Sequence, residues 1–216
     1  MAINLNIPYM PDAIVVAHGD LHEDAETLRL IAVSRHIVVC DGALTRYLQL
    51  TDRRPDVVIG DGDSVKEEEL ERVGVPFTKI EEQETNDLTK GVTYALQAGW
   101  KRIAIIGATG RREDHSIGNI FLLPEYLEMG AEVRAYSPYG WLFPFKGSLT
   151  LETEPGRELS LFAIEPKPMS AKGVAYPFEM RRFTALWQAT LNQVTEPTVT
   201  LYSEGIAVVF ISTEKR

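Results

Sequence analysis

The stretch that decides the fold reads Val57-Val58-Ile59-Gly60-Asp61-Gly62-Asp63-Ser64, an apolar run that ends in an acidic turn. Comparable apolar runs occur at residues 13–17, 37–40 and 102–106, and stretches with helical spacing separate them. Apolar runs without alternating polar residues are typical of strands covered on both faces. Strands that alternate with helices favour a parallel sheet. We therefore predict an α/β fold, with a doubly wound, mostly parallel sheet and flanking helices.

The same alternation extends over the first two thirds of the chain. Strands are predicted at residues 13–17, 37–40, 57–59, 77–80, 102–106 and 132–135. Helices are predicted at residues 24–33, 43–50, 66–73, 87–98 and 115–129.

The pattern changes near Ser137, where Pro, Gly and Thr begin to separate short alternating segments. Closely spaced strands with turn signals are typical of a small β-sandwich. We predict an α/β domain at residues 1–137 and a smaller C-terminal β-sandwich at residues 138–216. The predicted strands of this second domain are residues 147–152, 158–164, 198–202 and 206–211.

The composition narrows the possible functions. The 216 residues include 31 acidic and 22 basic side chains, and the net charge of −9 repels nucleic acids. Cys40 is the single cysteine, so no intrachain disulfide can form, and its apolar neighbours predict a buried thiol. No window approaches the roughly 20 apolar residues that span a membrane, and residues 1–10 lack the pattern of a secretory signal. We expect a cytoplasmic enzyme that binds neither nucleic acid nor membrane.

The turn at residues 60–64 places two carboxylates between glycines. Repulsion between Asp61 and Asp63 is costly unless a cation neutralises it. Magnesium takes oxygen ligands, commonly one or two carboxylates together with substrate phosphates. The turn therefore indicates either a magnesium-nucleotide site or a solvated Asp-Gly turn in which Ser64 caps the next helix.

Other predicted strands are also followed by polar residues. Ligands of doubly wound sheets bind beyond the carboxyl ends of the strands, so these residues are candidates for the same site. Asp41 directly follows the strand at residues 37–40. Asp87 and Lys90 lie on one face of a predicted helix, either as ligands of magnesium and phosphate or as a surface ion pair.

The segment after the strand at residues 102–106 reads Gly107-Ala108-Thr109-Gly110-Arg111-Arg112-Glu113-Asp114-His115. Its glycines allow a close approach of the backbone to a phosphate, and its arginines can donate to phosphate oxygens. Asp114 could be a metal ligand, a partner of an arginine or a helix cap. His115 is better explained as a helix-start residue that bonds the loop than as a catalytic group. The other histidines lack metal-ligand spacing and are interpreted as structural or exposed: His18, His22 and His36.

Taken in order, these segments resemble the motifs of the thiamine pyrophosphokinase family, which are D-G-G, G-D-x-D-S, Q-x-x-T-D-x-x-K and G-x-x-G-G-R-x-D-H. The matching segments lie at residues 41–43, 60–64, 83–90 and 107–115, and the likeness covers residues 13–130. The four segments in this order are more specific than any one of them. The chain departs from the family at Ala43, Asn86 and Arg111, which replace a glycine, a threonine and a glycine.

The resemblance implies that the chain transfers diphosphate from ATP to the hydroxyl of thiamine and releases AMP. It implies that Asp61, Asp63 and Asp87 surround magnesium, with Asp41 at the same edge of the sheet. Arg112 and Lys90 would then bind the phosphates. The other residues that it assigns to the nucleotide site are Ser64, Gln83, Gly107, Gly110, Asp114 and His115. Two other functions stay open, namely another magnesium-nucleotide transferase or phosphohydrolase, and a nucleotide-sensing module without activity.

The β-rich region would supply the site for thiamine, a flat cation with an aromatic ring. Such a ligand favours an aromatic or apolar platform. The candidates are Trp141, Tyr176, Phe178 and Trp187, although core packing explains any single one of them better. Asn192 is the candidate polar contact, in a segment where Leu191 replaces a serine of the family. The resemblance also implies a homodimer.

Overall fold

The computed structural model describes residues 1–215, which form two compact units. The α/β unit is Met10–Pro138, and the β-rich unit combines Met1–Tyr9 with the residues from Tyr139 onward. The predicted boundary near residue 137 agrees with this division. The assignment of residues 1–9 to the α/β domain was wrong, because their strand pairs within the β-rich unit.

Thirteen strands and five α-helices are present among residues 1–215. The strands are β1 (Ala2–Asn4), β2 (Ala13–Val16), β3 (His36–Cys40), β4 (Val57–Gly60), β5 (Phe77–Lys79), β6 (Arg102–Ile106), β7 (Glu132–Ser137), β8 (Gly140–Glu152), β9 (Arg157–Ala163), β10 (Pro168–Lys172), β11 (Phe178–Arg182), β12 (Asn192–Gln193) and β13 (Thr198–Lys215). The helices are α1 (Ala25–Val33), α2 (Leu44–Leu50), α3 (Glu67–Val73), α4 (Asp87–Gln97) and α5 (Glu113–Glu128).

The α/β unit is built on a parallel sheet with the strand order β7-β6-β2-β3-β4-β5. The chain proceeds from β2 outward through β3, β4 and β5, and α4 then returns it to β6 on the other side of β2. The strand order therefore reverses between β2 and β6, which is where doubly wound sheets bind their ligands. All four residues of β2 are buried, as the prediction of a sheet covered on both faces requires. The predicted fold class is confirmed.

Helix α4 packs close to the centre of this sheet. A Cβ atom on Gly91 would lie 2.8 Å from Cγ1 of Val15, so only glycine fits at this contact. The helix starts at Asn86, whose side chain accepts a hydrogen bond from the backbone N–H of Thr89 at 2.9 Å. This approach brings the first turn of α4 to the carboxyl edge of the strands.

The β-rich unit is organised by the long antiparallel pair β8 and β13. Strand β13 pairs with β10 along residues 200–203 and with β9 along residues 207–215, and β1 pairs in parallel with β8. Alternate side chains from these strands form one apolar core, which includes Phe143, Leu161 and Leu201. The segments 198–202 and 206–211 were predicted as two strands but are parts of β13, whose register shifts between Ser203 and Ala207.

Candidate active site

A cavity of about 360 Å³ lies in the α/β unit at the carboxyl edge of its sheet. The loops after β2 and β6, the end of β3 and the starts of α4 and α5 contribute to its walls. It therefore lies where the strand order reverses. Five residues predicted for the nucleotide or metal site line it, namely Ser64, Asp87, Gly110, Arg112 and His115.

The loops after β2 and β6 approach each other through their backbones. The N–H of Gly19 donates to the carbonyl of Gly107 at 2.7 Å, and the N–H of Asp20 donates to the carbonyl of Thr109 at 2.8 Å. A Cβ atom on Gly19 would lie 2.4 Å from both carbonyl oxygens. Gly107 has φ 68°, and a Cβ atom there would lie 2.6 Å from the carbonyl oxygen of Ala17. Glycine is thus needed on both sides of the cavity rim.

Asp41 is buried at the end of β3. Its Oδ1 accepts from the N–H of Gly42 at 2.6 Å, and its Oδ2 accepts from the N–H of Gly62 at 3.1 Å. A Cβ atom on Gly60 would lie 2.3 Å from Cγ of Asp41, so the glycine before the acidic turn makes room for this carboxylate. Asp41 therefore fixes the acidic turn against the end of β3.

The acidic turn orients the carboxylate of Asp61. Its Oδ1 accepts from the backbone N–H of Asp63 at 3.0 Å, and its Oδ2 accepts from Nε2 of Gln83 at 3.4 Å. These hydrogen bonds hold the pKa of Asp61 below its ordinary value, and the one from the backbone of Asp63 has the larger effect. The side chain of Asp63 is exposed to solvent. The structure thus brings Gln83 close to Asp61 of the acidic turn, which lies 22 residues earlier in the chain.

Asp87 and Lys90 form an ion pair within the first turns of α4. Nζ of Lys90 lies 3.2 Å from Oδ1 of Asp87, and the Lys90 side chain is only 3% exposed. Burial raises the pKa of Asp87, the hydrogen bond from Lys90 opposes this, and the negative charges of Asp41 and Asp61 raise it further. The alternative of a surface ion pair does not hold, because this lysine is buried.

The donor set suits a hard divalent cation. The negative charges of Asp41 and Asp61 both act on Asp87, and a cation would relieve that repulsion. Within residues 1–215, no group of three or more His, Cys, Asp or Glu side chains is arranged to hold a metal ion by itself. Magnesium commonly completes its octahedral shell with water and substrate phosphates, so a small carboxylate set fits it. The ligand set that includes Asp63 stays a prediction.

The basic side of the cavity is formed by two consecutive arginines. Arg112 is exposed and donates from Nε to Oδ1 of Asp114 at 3.1 Å and from Nη2 to Oδ2 at 2.6 Å, and Oδ1 also accepts from the N–H of His115. Arg111 has φ 61° and donates from Nη1 to the carbonyl of His18 at 3.4 Å. Asp114 was considered as a metal ligand, a partner of an arginine or a helix cap. In the structure it pairs with an arginine.

Among the lining residues with hydrogen-bonding side chains, three were not selected from the sequence, namely His18, Asn86 and Asn119. Partial burial lowers the pKa of His18, and the positive charge of Arg111 lowers it further. Asn86 donates from Nδ2 to Oδ1 of Asn119 at 3.0 Å. The helix cap at Asn86 had a local sequence signal, whereas Asn119 is recognisable only once α5 is placed beside α4.

The candidate thiamine residues of the β-rich unit fall into two groups. Trp187 and Tyr176 are each 73% exposed, whereas Trp141 and Phe178 pack against the core. Asn192 is buried, and its amide accepts from the N–H of Tyr176 at 3.0 Å and donates to its carbonyl at 2.9 Å. Asn192 thus holds the loop that carries Tyr176, and its contact with thiamine stays a prediction.

Two family models match the chain in the same order as the two units. The model described as "Thiamin pyrophosphokinase, catalytic domain" matches residues 27–135. The model described as "Thiamin pyrophosphokinase, substrate-binding domain" matches residues 140–210. No curated protein matches the sequence significantly.

Solved structures show the same fold at low sequence identity. The thiamin pyrophosphokinase from Candida albicans has a TM-score of 0.82 and 17% identity, and the match covers 99% of this chain and 93% of that one. The thiamine pyrophosphokinase from Bacillus subtilis has a TM-score of 0.78 and 21% identity, with 94% and 99% covered. The yeast enzyme has a TM-score of 0.77 and 15% identity, with 98% and 90% covered. Along residues 1–215, no helix has the length and apolar character needed to cross a membrane.

Proposed function

The chain belongs to the thiamin pyrophosphokinase family. We propose that the cavity of the α/β unit binds ATP between two groups of residues, with magnesium next to the first. The first group, the carboxylate edge, consists of Asp41, Asp61 and Asp87, and the second, the arginine loop, is the segment 107–112. As an ATP:thiamine diphosphotransferase, the chain transfers diphosphate to the hydroxyl of thiamine and releases AMP. The observation that carries the proposal is the cavity at the reversal of strand order, which Asp87 lines together with Arg111 and Arg112, and Asp87 is paired there with the buried Lys90.

The carboxylates hold the metal-bound end of the nucleotide. Asp61 and Asp87 would hold magnesium, with Asp63 completing the predicted set and Asp41 fixing the turn between them. When bound, magnesium would neutralise phosphate charge and polarise the phosphorus under attack. Gln83 keeps the Asp61 carboxylate oriented. The lowered pKa of Asp61 keeps it ionised, as a metal ligand must be.

The cationic groups stabilise the charge that moves during transfer. A bond forms between the thiamine oxygen and the β-phosphorus while the hydroxyl proton passes to solvent, and the bond from that phosphorus to the oxygen shared with the α-phosphate breaks. AMP keeps this oxygen and its negative charge. Arg111 and Arg112 line the cavity, and Lys90 contacts its lining residue Asp87, so these three cations can donate to the phosphate oxygens on both sides of the breaking bond. Positioning and electrostatics thus supply most of the catalysis, as in other phosphoryl transfers.

The β-rich unit supplies the acceptor site in this proposal. The exposed rings of Trp187 and Tyr176 can stack on the cationic thiamine, and Asn192 holds the loop that presents Tyr176. A homodimer would cover these rings together with Leu191, which is 82% exposed. ATP as a substrate supports a cytoplasmic location, and the net charge of −9 argues against nucleic acid as a partner.

The test is product analysis with the purified protein. Incubation with ATP, magnesium and thiamine should yield AMP and thiamine diphosphate in equal amounts, and chelation of magnesium should stop both. No AMP above a thiamine-free control would contradict the assignment. Release of ADP or inorganic phosphate in place of AMP would support a different transferase or a phosphohydrolase.

A further inference from the structure

Two side-chain amides form a directed chain of hydrogen bonds along the cavity wall. Oδ1 of Asn86 accepts from the N–H of Thr89 at 2.9 Å, and its Nδ2 donates to Oδ1 of Asn119 at 3.0 Å. Nδ2 of Asn119 in turn donates to the carbonyl of Ala108 at 2.8 Å. Asn86, Asn119 and Ala108 all line the cavity.

The chemistry of the end groups fixes the direction of this chain. The backbone N–H of Thr89 can only donate, so the oxygen of Asn86 must face it and its NH₂ must face Asn119. The carbonyl of Ala108 can only accept, so the NH₂ of Asn119 must face it and its oxygen must face Asn86. Both amides therefore act as donor and acceptor at once, which no carboxylate or hydrocarbon side chain of similar size can do.

The chain of bonds joins the three segments that carry the charged groups. Asn86 starts α4, which bears Asp87 and Lys90. Asn119 lies on α5, and Ala108 belongs to the loop that presents the arginines. That loop contains two successive residues with positive φ, Gly110 at 83° and Arg111 at 61°. A left-handed arginine is costly, so the loop needs support from its surroundings.

We propose that Asn86 and Asn119 are positioning residues that hold the carboxylate edge and the arginine loop at the separation needed to grip one diphosphate group from both sides. The inference rests on the proposed function of this cavity. It predicts that loss of the link leaves each half of the site folded but impairs their joint action on a magnesium-bound phosphate.

The substitution Asn86→Thr separates this role from helix capping. Threonine retains an oxygen that can cap α4 but offers no amide donor to Asn119. Asn119→Asp breaks the other hydrogen bond of the link, because aspartate can still accept from Asn86 but cannot donate to the carbonyl of Ala108. Asn119→Ala removes both bonds. Thr45→Ala is the matched control, since it removes the 2.7 Å bond from Oγ1 of Thr45 to Oε2 of Glu69, which links α2 and α3 away from the cavity-lining residues.

Turnover and binding are then measured for each variant. We expect kcat to fall about ten- to a hundredfold in Asn86→Thr and both Asn119 variants, the range that a misplacement of up to about 1 Å produces. The double variant Asn86→Thr/Asn119→Ala should be no slower than Asn119→Ala alone, because both changes break one linkage. Thr45→Ala should retain wild-type kcat, and the thermal midpoints of Asn86→Thr and Thr45→Ala should agree.

Binding of a non-hydrolysable ATP analogue, measured by titration calorimetry, gives a readout that does not depend on turnover. Asn86→Thr should weaken the affinity more in the presence of magnesium than in its absence, because the metal adds a connection between the carboxylates and the phosphates to the direct contact that Lys90 can make. Wild-type kcat in Asn86→Thr, additive effects in the double variant, or equal weakening with and without magnesium would each overturn the inference. A wild-type protein that makes no AMP but shows the expected binding pattern would instead contradict the proposed function alone.

Discussion

At the scale of single residues, the acidic turn separates two roles for neighbouring carboxylates. Asp61 is oriented by the backbone of Asp63 and by Gln83, so it is part of the internal hydrogen bonding of the site. The carboxylate of Asp63 is exposed, while its backbone N–H supports Asp61. The side chain of Asp63 is therefore available to a ligand without having a part in the fold.

Asp63→Asn should lower turnover by about a hundredfold or more while the thermal midpoint stays close to wild type. The amide keeps the shape but loses the negative charge that the proposed metal site needs, and an exposed substitution usually changes stability by less than about 0.5 kcal/mol. Steady-state AMP release and a thermal melt measure the two effects. Asp52→Asn, another exposed carboxylate, is the control and should remain fully active. Undiminished activity of Asp63→Asn would remove Asp63 from the metal site.

The sequence identified cavity residues whose signals are local. The pair of Asp87 and Lys90 can be predicted without a structure because the two residues are only three positions apart in the chain. The same holds for glycines next to carboxylates. Arg111 and Asn119 were harder to assign, since Arg111 bonds a carbonyl 93 residues earlier and Asn119 bonds Asn86, 33 residues earlier. Such contacts follow from the order of strands in the sheet, which periodicity alone does not give.

At the scale of elements, the site depends on how closely α4 approaches the sheet. Gly91→Ala should destabilise the α/β unit by about 1–3 kcal/mol, the usual cost of forcing an extra methyl group into a packed core. The new Cβ atom would lie 2.8 Å from Cγ1 of Val15, so the helix or the strand must move. Urea unfolding measures the loss, and a drop in kcat should accompany it because Asp87 and Lys90 move with α4.

Gly118→Ala is the matched control within α5. A Cβ atom there has no heavy atom within 4 Å, so the change should stabilise the protein by up to about 1 kcal/mol through helix propensity. If Gly91→Ala destabilises the protein while Gly118→Ala stabilises it, packing rather than helix propensity explains why residue 91 is a glycine. A neutral or stabilising Gly91→Ala would contradict the close contact between α4 and β2.

The elements of the α/β unit were predicted to within a few residues because their patterns are regular. Buried parallel strands carry apolar runs, and the helices between them show one apolar face. The β-rich unit was predicted less well. Strands β10 and β11 were missed because both are only five residues long, and β11 is largely exposed, with only two apolar residues in its sequence FEMRR. Strand β13 was divided because Glu204 and Gly205 read as a turn, although they lie at its register shift.

At the scale of the whole molecule, the chain begins in one unit, forms the other and returns to the first. Strand β1 pairs with β8 across Ala2↔Thr150, Ile3↔Leu151 and Asn4↔Glu152, so its partner is nearly the length of a domain away in sequence. A strand of three residues gives almost no periodic signal. The prediction therefore assigned residues 1–9 to the unit that follows them directly in the chain.

This arrangement predicts that Ile3 stabilises the β-rich unit. Ile3 is 4% exposed and belongs to the same apolar core as Leu151, so Ile3→Ala should cost about 2 kcal/mol or more in the free energy of unfolding. Ile7 is 63% exposed in the same segment, so Ile7→Ala should have almost no effect. Hydrogen exchange locates the change, because the amides of β8 and β13 should lose protection in Ile3→Ala while those of β2 and β6 keep it. Equal stability of the two variants, or lost protection in the α/β sheet instead, would mean that β1 does not contribute to the core of the β-rich unit.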